Sequence, residues 1–106
     1  MNQSLFIIDL HYVAPLEKLD EAMQAHMRFL NEHYERGNFI ASGRKVPRTG
    51  GVIIATAADK EEVDQWMRKD PFCKLGLSNF TITEFQTSQS NPAFRKFLKE
   101  TKPGIK

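Results

Sequence analysis

The chain has 106 residues, enough for one domain with a small core, and its 41% hydrophobic and 26% charged content is ordinary for a globular protein in water. A net charge of +2, with no basic stripe interleaved with aromatics, argues against a nucleic-acid partner. Cys73 is the single cysteine, which excludes an intrachain disulfide and a cysteine-rich metal site and fits a reducing compartment.

Met1-Asn2-Gln3-Ser4 has no basic n-region, and the apolar run 5–10 is too short for a signal sequence. No run approaches transmembrane length, so a cytoplasmic protein with no membrane partner is expected. Residues 5–13 alternate as a strand, with Phe6, Ile8, Leu10 and Tyr12 on one face and Leu5, Ile7, Asp9 and His11 on the other. Pro15 ends it. A single long helix is then expected over residues 16–36. Leu16, Leu19, Met23, Met27, Leu30 and Tyr34 form its apolar stripe, and Gly37 is suited to the left-handed residue after its end.

A second strand covers 38–42, with Phe39, Ile40 and Ala41. The segment 44–51 reads as a loop of cations and breakers, including Arg44, Arg48, Gly50 and Gly51. The third strand, 52–57, is apolar on both faces. Asp59 and Glu62 form an acidic capping box for a helix with Val63, Trp66 and Met67 inside. Asp70-Pro71 ends it and opens a short helix, Asp70 as N-cap and Pro71 at N1, carrying Phe72, Leu75 and Leu77. The last strand is 79–86. A polar linker, 87–91, leads to an amphipathic helix over 92–99, with Phe94, Phe97 and Leu98 on its apolar side. From Arg95 onward the chain is basic, with Lys96, Lys99, Lys102 and Lys106 against Glu100 alone; a solvated end is the ordinary explanation.

The order β-α-β-β-α-β is the ferredoxin-like split βαβ arrangement, an α+β fold with a four-stranded antiparallel sheet and both helices on one face. The domain is expected over 1–87, with 88–106 as linker and basic helical extension. Because the first and third strands are apolar on both sides, the bare sheet face should bury itself against a second copy. The expected assembly is a homodimer closed as a dimeric α+β barrel, with the terminal helix docking on the partner.

His26 occupies a position in the helical stripe where an apolar residue is expected. A core histidine bonded to a backbone carbonyl is one explanation, and a chemical role is the other. Asp70 alone reads as a capping residue. Together the two say more, since helices on one sheet face can bring Asp70 to the middle of the long helix. An aspartate on one imidazole nitrogen fixes the tautomer and strengthens the other nitrogen as a base. Arg44 and Arg48, beside Gly50-Gly51, are suited to a substrate carboxylate or phosphate, or to a solvated loop. His11 with Asp9 forms a weaker alternative site. His33, near the helix end, complements the dipole as a cation. Cys73 packs as a small hydrophobe. No HxH or HExxH spacing points to a metal, and no cofactor is implied.

The segments Gln24-Ala25-His26-Met27-Arg28-Phe29-Leu30, Gly37-Asn38-Phe39-Ile40-Ala41-Ser42-Gly43, Gly51-Val52-Ile53-Ile54-Ala55, Val63-Asp64-Gln65-Trp66 and Lys69-Asp70-Pro71-Phe72 resemble, as an ordered set, the YciI-like (YCII-related) family of small dimeric α+β barrel proteins. The resemblance spans residues 5–85 and implies an active-site His-Asp pair falling on His26 and Asp70. Known activity in the wider family is dehydrochlorination of a chlorinated hydroxyquinol, and fold neighbours include muconolactone isomerase, so the resemblance implies proton abstraction from a small cyclic or phenolic anion. The chain departs from the family in carrying Arg44 where proline is common, and in the segment after residue 86. The expected site is His26 and Asp70 as catalytic pair, with Ser42, Arg44, Arg48 and Phe72 binding substrate. A non-catalytic ligand-binding or accessory dimer, with His26–Asp70 as a structural pair, is the rival.

Overall fold

A computed structural model describes residues 4–100. Lys102 and Lys106 of the basic terminal run, and Met1, Asn2 and Gln3, lie outside them. The double-sided apolarity of the first strand places it inside the sheet. This strand, β1 (Ser4–Tyr12), pairs antiparallel with β3 (Gly50–Ala55) on one side and β4 (Ser78–Gln86) on the other. β2 (Phe39–Arg44) adds outside β3, giving the order β2-β3-β1-β4 of the ferredoxin-like fold.

Register assigns the faces. Ile8 stands opposite Ile53 and Ile82, while Phe6 and Leu10 stand opposite Ala55 and Gly51. Phe6, Ile8, Leu10, Ile53 and Ala55 are buried in one core with Phe29, Leu30, Phe39, Val63 and Met67. The other face carries Ile7, Val52 and Ile54, all half-buried, and Phe85, 43% exposed. The bare face is therefore apolar in places, as the alternation of β1 and β3 requires. Asp9 is paired there with Lys45, at 2.5 Å, and His11 is exposed.

The long helix is two. α1 (Leu16–Glu21) and α2 (Met23–Glu35) meet at Ala22, whose backbone leaves helical geometry at φ −96, ψ 3. The reason lies in what each piece packs against. Leu19 and Ala22 bury against Phe72 in a small cluster, whereas α2 turns Phe29 and Leu30 to the main core. The buried face of α2 is His26, Phe29, Leu30 and His33, rotated from the stripe read in the sequence. Leu16 and Met27, expected inside, are 44% and 48% exposed. Gly37 takes φ 78 after the helix, as expected.

The capping box holds: the Glu62 backbone N–H donates to Asp59 Oδ1 at 2.9 Å, at the start of α3 (Lys60–Met67). Glu62 reaches back to the Ala58 N–H at 3.0 Å. α4 (Pro71–Lys74) is a single turn that buries Phe72, while Leu75 after it is 64% exposed instead of packed. α5 (Pro92–Glu100) buries Leu98 and leaves Phe97 40% exposed.

Two further expectations change. Arg44 lies in β2, not in a loop, and Gly50-Gly51 belong to β3, where they pair with His11 and Leu10 of β1. His33 is not a cation at the helix end. It is buried between Phe39, stacked at 4.6 Å, and Trp66, and its Nδ1 accepts from Asn38 Nδ2 at 3.0 Å. Burial chiefly, then Arg36, lower its pKa from 6.5 to about 4; Lys69 adds to this and Glu32 opposes it. The unfolded chain therefore binds this proton between pH 6.5 and 4 while the folded chain does not. Stability is full above 6.5 and falls as pH drops through that window, by up to about 3 kcal/mol. His33→Gln should flatten the slope of urea midpoint against pH over that range; an unchanged slope would rule out His33 as its source.

Candidate active site

The site begins at the end of α3, where Asp70 and Pro71 start a new turn. Asp70 takes extended backbone, and its Oδ1 accepts the Phe72 N–H at 3.3 Å, the N-cap geometry that Asp-Pro favours. That cap directs the carboxylate inward. Asp70 is fully buried, and Oδ1 lies 2.7 Å from His26 Nδ1, joining α2 to the start of α4. The Cys73 thiol donates to Oδ2 at 3.7 Å. Burial first, then the Asp70 charge, push the Cys73 pKa up to about 12, so Cys73 is a protonated packing residue at neutral pH.

Phe72 supplies the platform. Its ring is stacked on the His26 imidazole at 3.9 Å with 6° between planes. Asp70 fixes one nitrogen of the imidazole and Phe72 fixes its plane. Among the described residues Nε2 has no hydrogen-bond partner, and His26 lines a cleft. This cleft, of about 300 Å³, lies between α2 and the sheet. Leu10, Met23, Met27, Leu30, Ile53 and Phe72 form much of its apolar wall.

The cleft's polar groups come from β2, the following loop, α2 and the end of β1. Ser42, Arg44 and Arg48 all line it, together with Tyr12 and Tyr34. A β-bulge explains Ser42 and Arg44. Phe39 pairs with Ala55, but Ala41 pairs with Ile54, so Ile40 is an extra residue in β2. The bulge shifts alternation by one and turns Ser42 and Arg44 to the face carrying Ile53 and Gly51. Arg48 is already engaged: Nη2 donates to Asp20 Oδ1 at 2.7 Å, tying the loop to α1. Its pKa is raised, first by that bond and less by the Tyr12 hydroxyl. Arg44 has no ion-pair partner among the described residues, so of the two it is the guanidinium open to a ligand anion.

The structure thus brings His26, Asp70, Phe72, Ser42, Arg44 and Arg48 to one place and leaves Asp9 and His11 on the opposite sheet face. Sequence reasoning missed the Asp20–Arg48 pair and the Tyr34 hydroxyl, 2.6 Å from Ser42 Oγ. Tyr34 continues the helical stripe, a pattern that points to the core and conceals a hydroxyl at the cleft. Among the described residues no cluster of three His, Cys, Asp or Glu is arranged to hold a metal ion. None of the helices there is long and apolar enough to cross a membrane.

Residues 4–86 match the model of the YCII-related domain. The chain belongs to the YCII-related family. Among solved structures, this YCII-related protein is similar to 5-chloro-2-hydroxyhydroquinone dehydrochlorinase (TftG) from Burkholderia phenoliruptrix AC1100, solved in complex with 2,5-dihydroxybenzoquinone. The TM-score is 0.66 at 21% identity, covering 81% of this chain and 95% of that one. It is also similar to a conserved protein from Methanosarcina mazei Go1, with TM-score 0.53 and 18% identity over 81% and 94% of the two chains. A further likeness is to SnoaB, a cofactor-independent oxygenase from Streptomyces nogalater, with TM-score 0.52 and 14% identity over 87% and 99%. At these identities the likeness is one of fold, shared across the α+β sheet and its helices. No curated protein matches the chain.

Proposed function

We propose that this YCII-related protein is a small-molecule enzyme of the lyase or isomerase type, acting on a small cyclic or phenolic anion. His26 is its general base and Asp70 the residue that orients it. The observation that carries this reading is the 2.7 Å contact between His26 Nδ1 and the buried Asp70, made by a histidine that lines the cleft. In that arrangement the Nδ1–H donates to Oδ1, and Nε2 holds a lone pair aimed at whatever occupies the cleft. Phe72 keeps the ring from rotating, Arg44 draws the substrate's anionic group, and Arg48 and Ser42 shape the same wall. A proton transfer of this kind uses no redox or carrier chemistry, so the reaction is proposed to run without a cofactor.

The test is turnover of small hydroxylated and halogenated aromatics, beginning with 5-chloro-2-hydroxyhydroquinone, the compound named for the Burkholderia enzyme. Losing a general base costs about 10²- to 10⁴-fold in rate, and His26→Ala should fall in that range, with Asp70→Asn impaired as well. If both variants match wild type on a compound the protein turns over, the reading is wrong.

A structural pair is the second reading, favoured by one observation: Asp70 also caps α4 and holds the Cys73 thiol. On that reading His26→Phe costs stability and leaves ligand binding in the cleft unchanged, which calorimetry with the same aromatics measures.

We propose in addition that two copies join through the open sheet face, where Ile7, Val52 and Ile54 are half-buried and Phe85 is exposed. Sedimentation should give a dimer for the wild type and a monomer for Ile7→Lys combined with Ile54→Lys. A wild-type monomer at tens of micromolar, far above the dissociation constant of a stable dimer, would sink the proposal.

A further inference from the structure

The cleft has a second polar end that proton abstraction by His26 alone does not use. The Tyr34 hydroxyl and Ser42 Oγ lie 2.6 Å apart, and both residues line the cleft. Tyr34 follows His26 by about two turns of α2, roughly 12 Å along the helix axis, and Leu30 on the cleft wall separates them. Ser42 reaches this position because the β2 bulge turns it inward, and Arg44 comes next on the same face. The cleft therefore runs from an imidazole at one end to a hydroxyl pair and a guanidinium at the other.

The hydrogen count of the pair sets what it can bind. Each hydroxyl carries one donor hydrogen, and their mutual bond consumes one of the two, whichever residue donates. One O–H remains to point outward. Beside Arg44, which has no ion-pair partner among the described residues, that donor stands where negative charge on a ligand oxygen is stabilised.

We infer that Tyr34 and Ser42, with Arg44, form an oxygen-binding end that selects conjugated ring substrates bearing a carbonyl-like acceptor opposite the hydrogen His26 removes. The inference rests on the proposed role of His26 as base. His26 Nε2 takes the proton as the C–H or O–H bond breaks, and an N–H bond forms. The freed electron pair moves through the ring to the far oxygen, which passes from carbonyl to oxyanion. There the free hydroxyl hydrogen and Arg44 meet the new charge, and no oxidant or co-reactant enters the balance. A six-membered ring with functions on opposite carbons presents one hydrogen-bonding group toward each end of such a cleft. Tyr34 is thus a substrate-binding residue that discriminates by the group at the far end.

The test compares two probes by calorimetry on the intact protein: 4-nitrophenol, which carries acceptor oxygens opposite its hydroxyl, and 4-methylphenol, which does not. Tyr34→Phe combined with Ser42→Ala removes both hydroxyls, since either one alone would still offer one O–H, and it should weaken 4-nitrophenol about tenfold, the worth of one hydrogen bond to a charged or strongly polar acceptor. Binding of 4-methylphenol should change less than about twofold. Each single variant keeps one O–H at the site and should move the ratio less than the double variant does. If His26→Gln weakens both probes while Tyr34→Phe combined with Ser42→Ala leaves their ratio unaltered, this inference fails and the base reading stands. If His26→Gln affects neither probe, or the wild type binds neither saturably, the base reading fails and this inference with it.

Discussion

Asp70→Ala is expected to lower the free energy of unfolding by about 3 kcal/mol, measured by urea denaturation at neutral pH. Three effects contribute. The Phe72 N–H loses its cap, worth about 1 kcal/mol; the buried His26 Nδ1 loses its partner, at about 1–3 kcal/mol; and a small void opens in a fully enclosed site. Asp70→Asn keeps an acceptor oxygen for both donors and should cost about 1 kcal/mol while still disturbing the tautomer that points a lone pair at the cleft. The two variants therefore separate the folding role of Asp70 from its chemical one. An alanine variant as stable as wild type would mean that the 2.7 Å contact does not hold α2 against α4 in solution.

Gly50→Ala is expected to be more severe, with a loss of at least about 3 kcal/mol and poor recovery of folded protein. A Cβ at Gly50 would lie 1.9 Å from the Leu10 carbonyl oxygen and 2.9 Å from its carbon, both backbone atoms of the strand beside it. A flexible side chain could swing aside, but β1 cannot, since it is held on its other edge by β4. The neighbouring Gly51 has more room, its nearest contact being the Gly43 carbonyl oxygen at 3.0 Å. Gly51→Ala should accordingly cost less than Gly50→Ala. Thermal melts of the two variants check the order, and equal melting temperatures would discard the close-approach explanation.

These glycines mark where sequence reasoning went astray and why. Two glycines just after Arg44 and Arg48 look like part of a loop, because glycine's freedom at turns is a local property visible in the chain. Here the requirement is non-local: Gly50 lacks a side chain because β1 passes against it, and nothing within several residues of Gly50 encodes that. His33 failed in the same way. Its distance from the helix end suggested a cation, but burial between Phe39 and Trp66 makes the neutral ring the stable form.

By itself the sequence determined the order of the strands and the caps at Asp59 and Asp70, and it made a contact between His26 and Asp70 possible. Each rests on short-range rules: alternation for strands, side-chain oxygens for helix starts, and proline to end one helix and open the next. The His26–Asp70 pair is long-range in the chain: the fold class allows it by placing both helices on one sheet face, the family resemblance points to the same two residues, and the structure supplies the 2.7 Å contact. The tertiary structure decided what surrounds that pair. The break at Ala22 rotated the buried face of α2, the bulge at Ile40 turned Ser42 and Arg44 into the cleft, and Asp20 engaged Arg48 while leaving Arg44 open. A bulge, a bend and an ion pair each depend on which surfaces meet, and that is settled only when the helices close over the sheet.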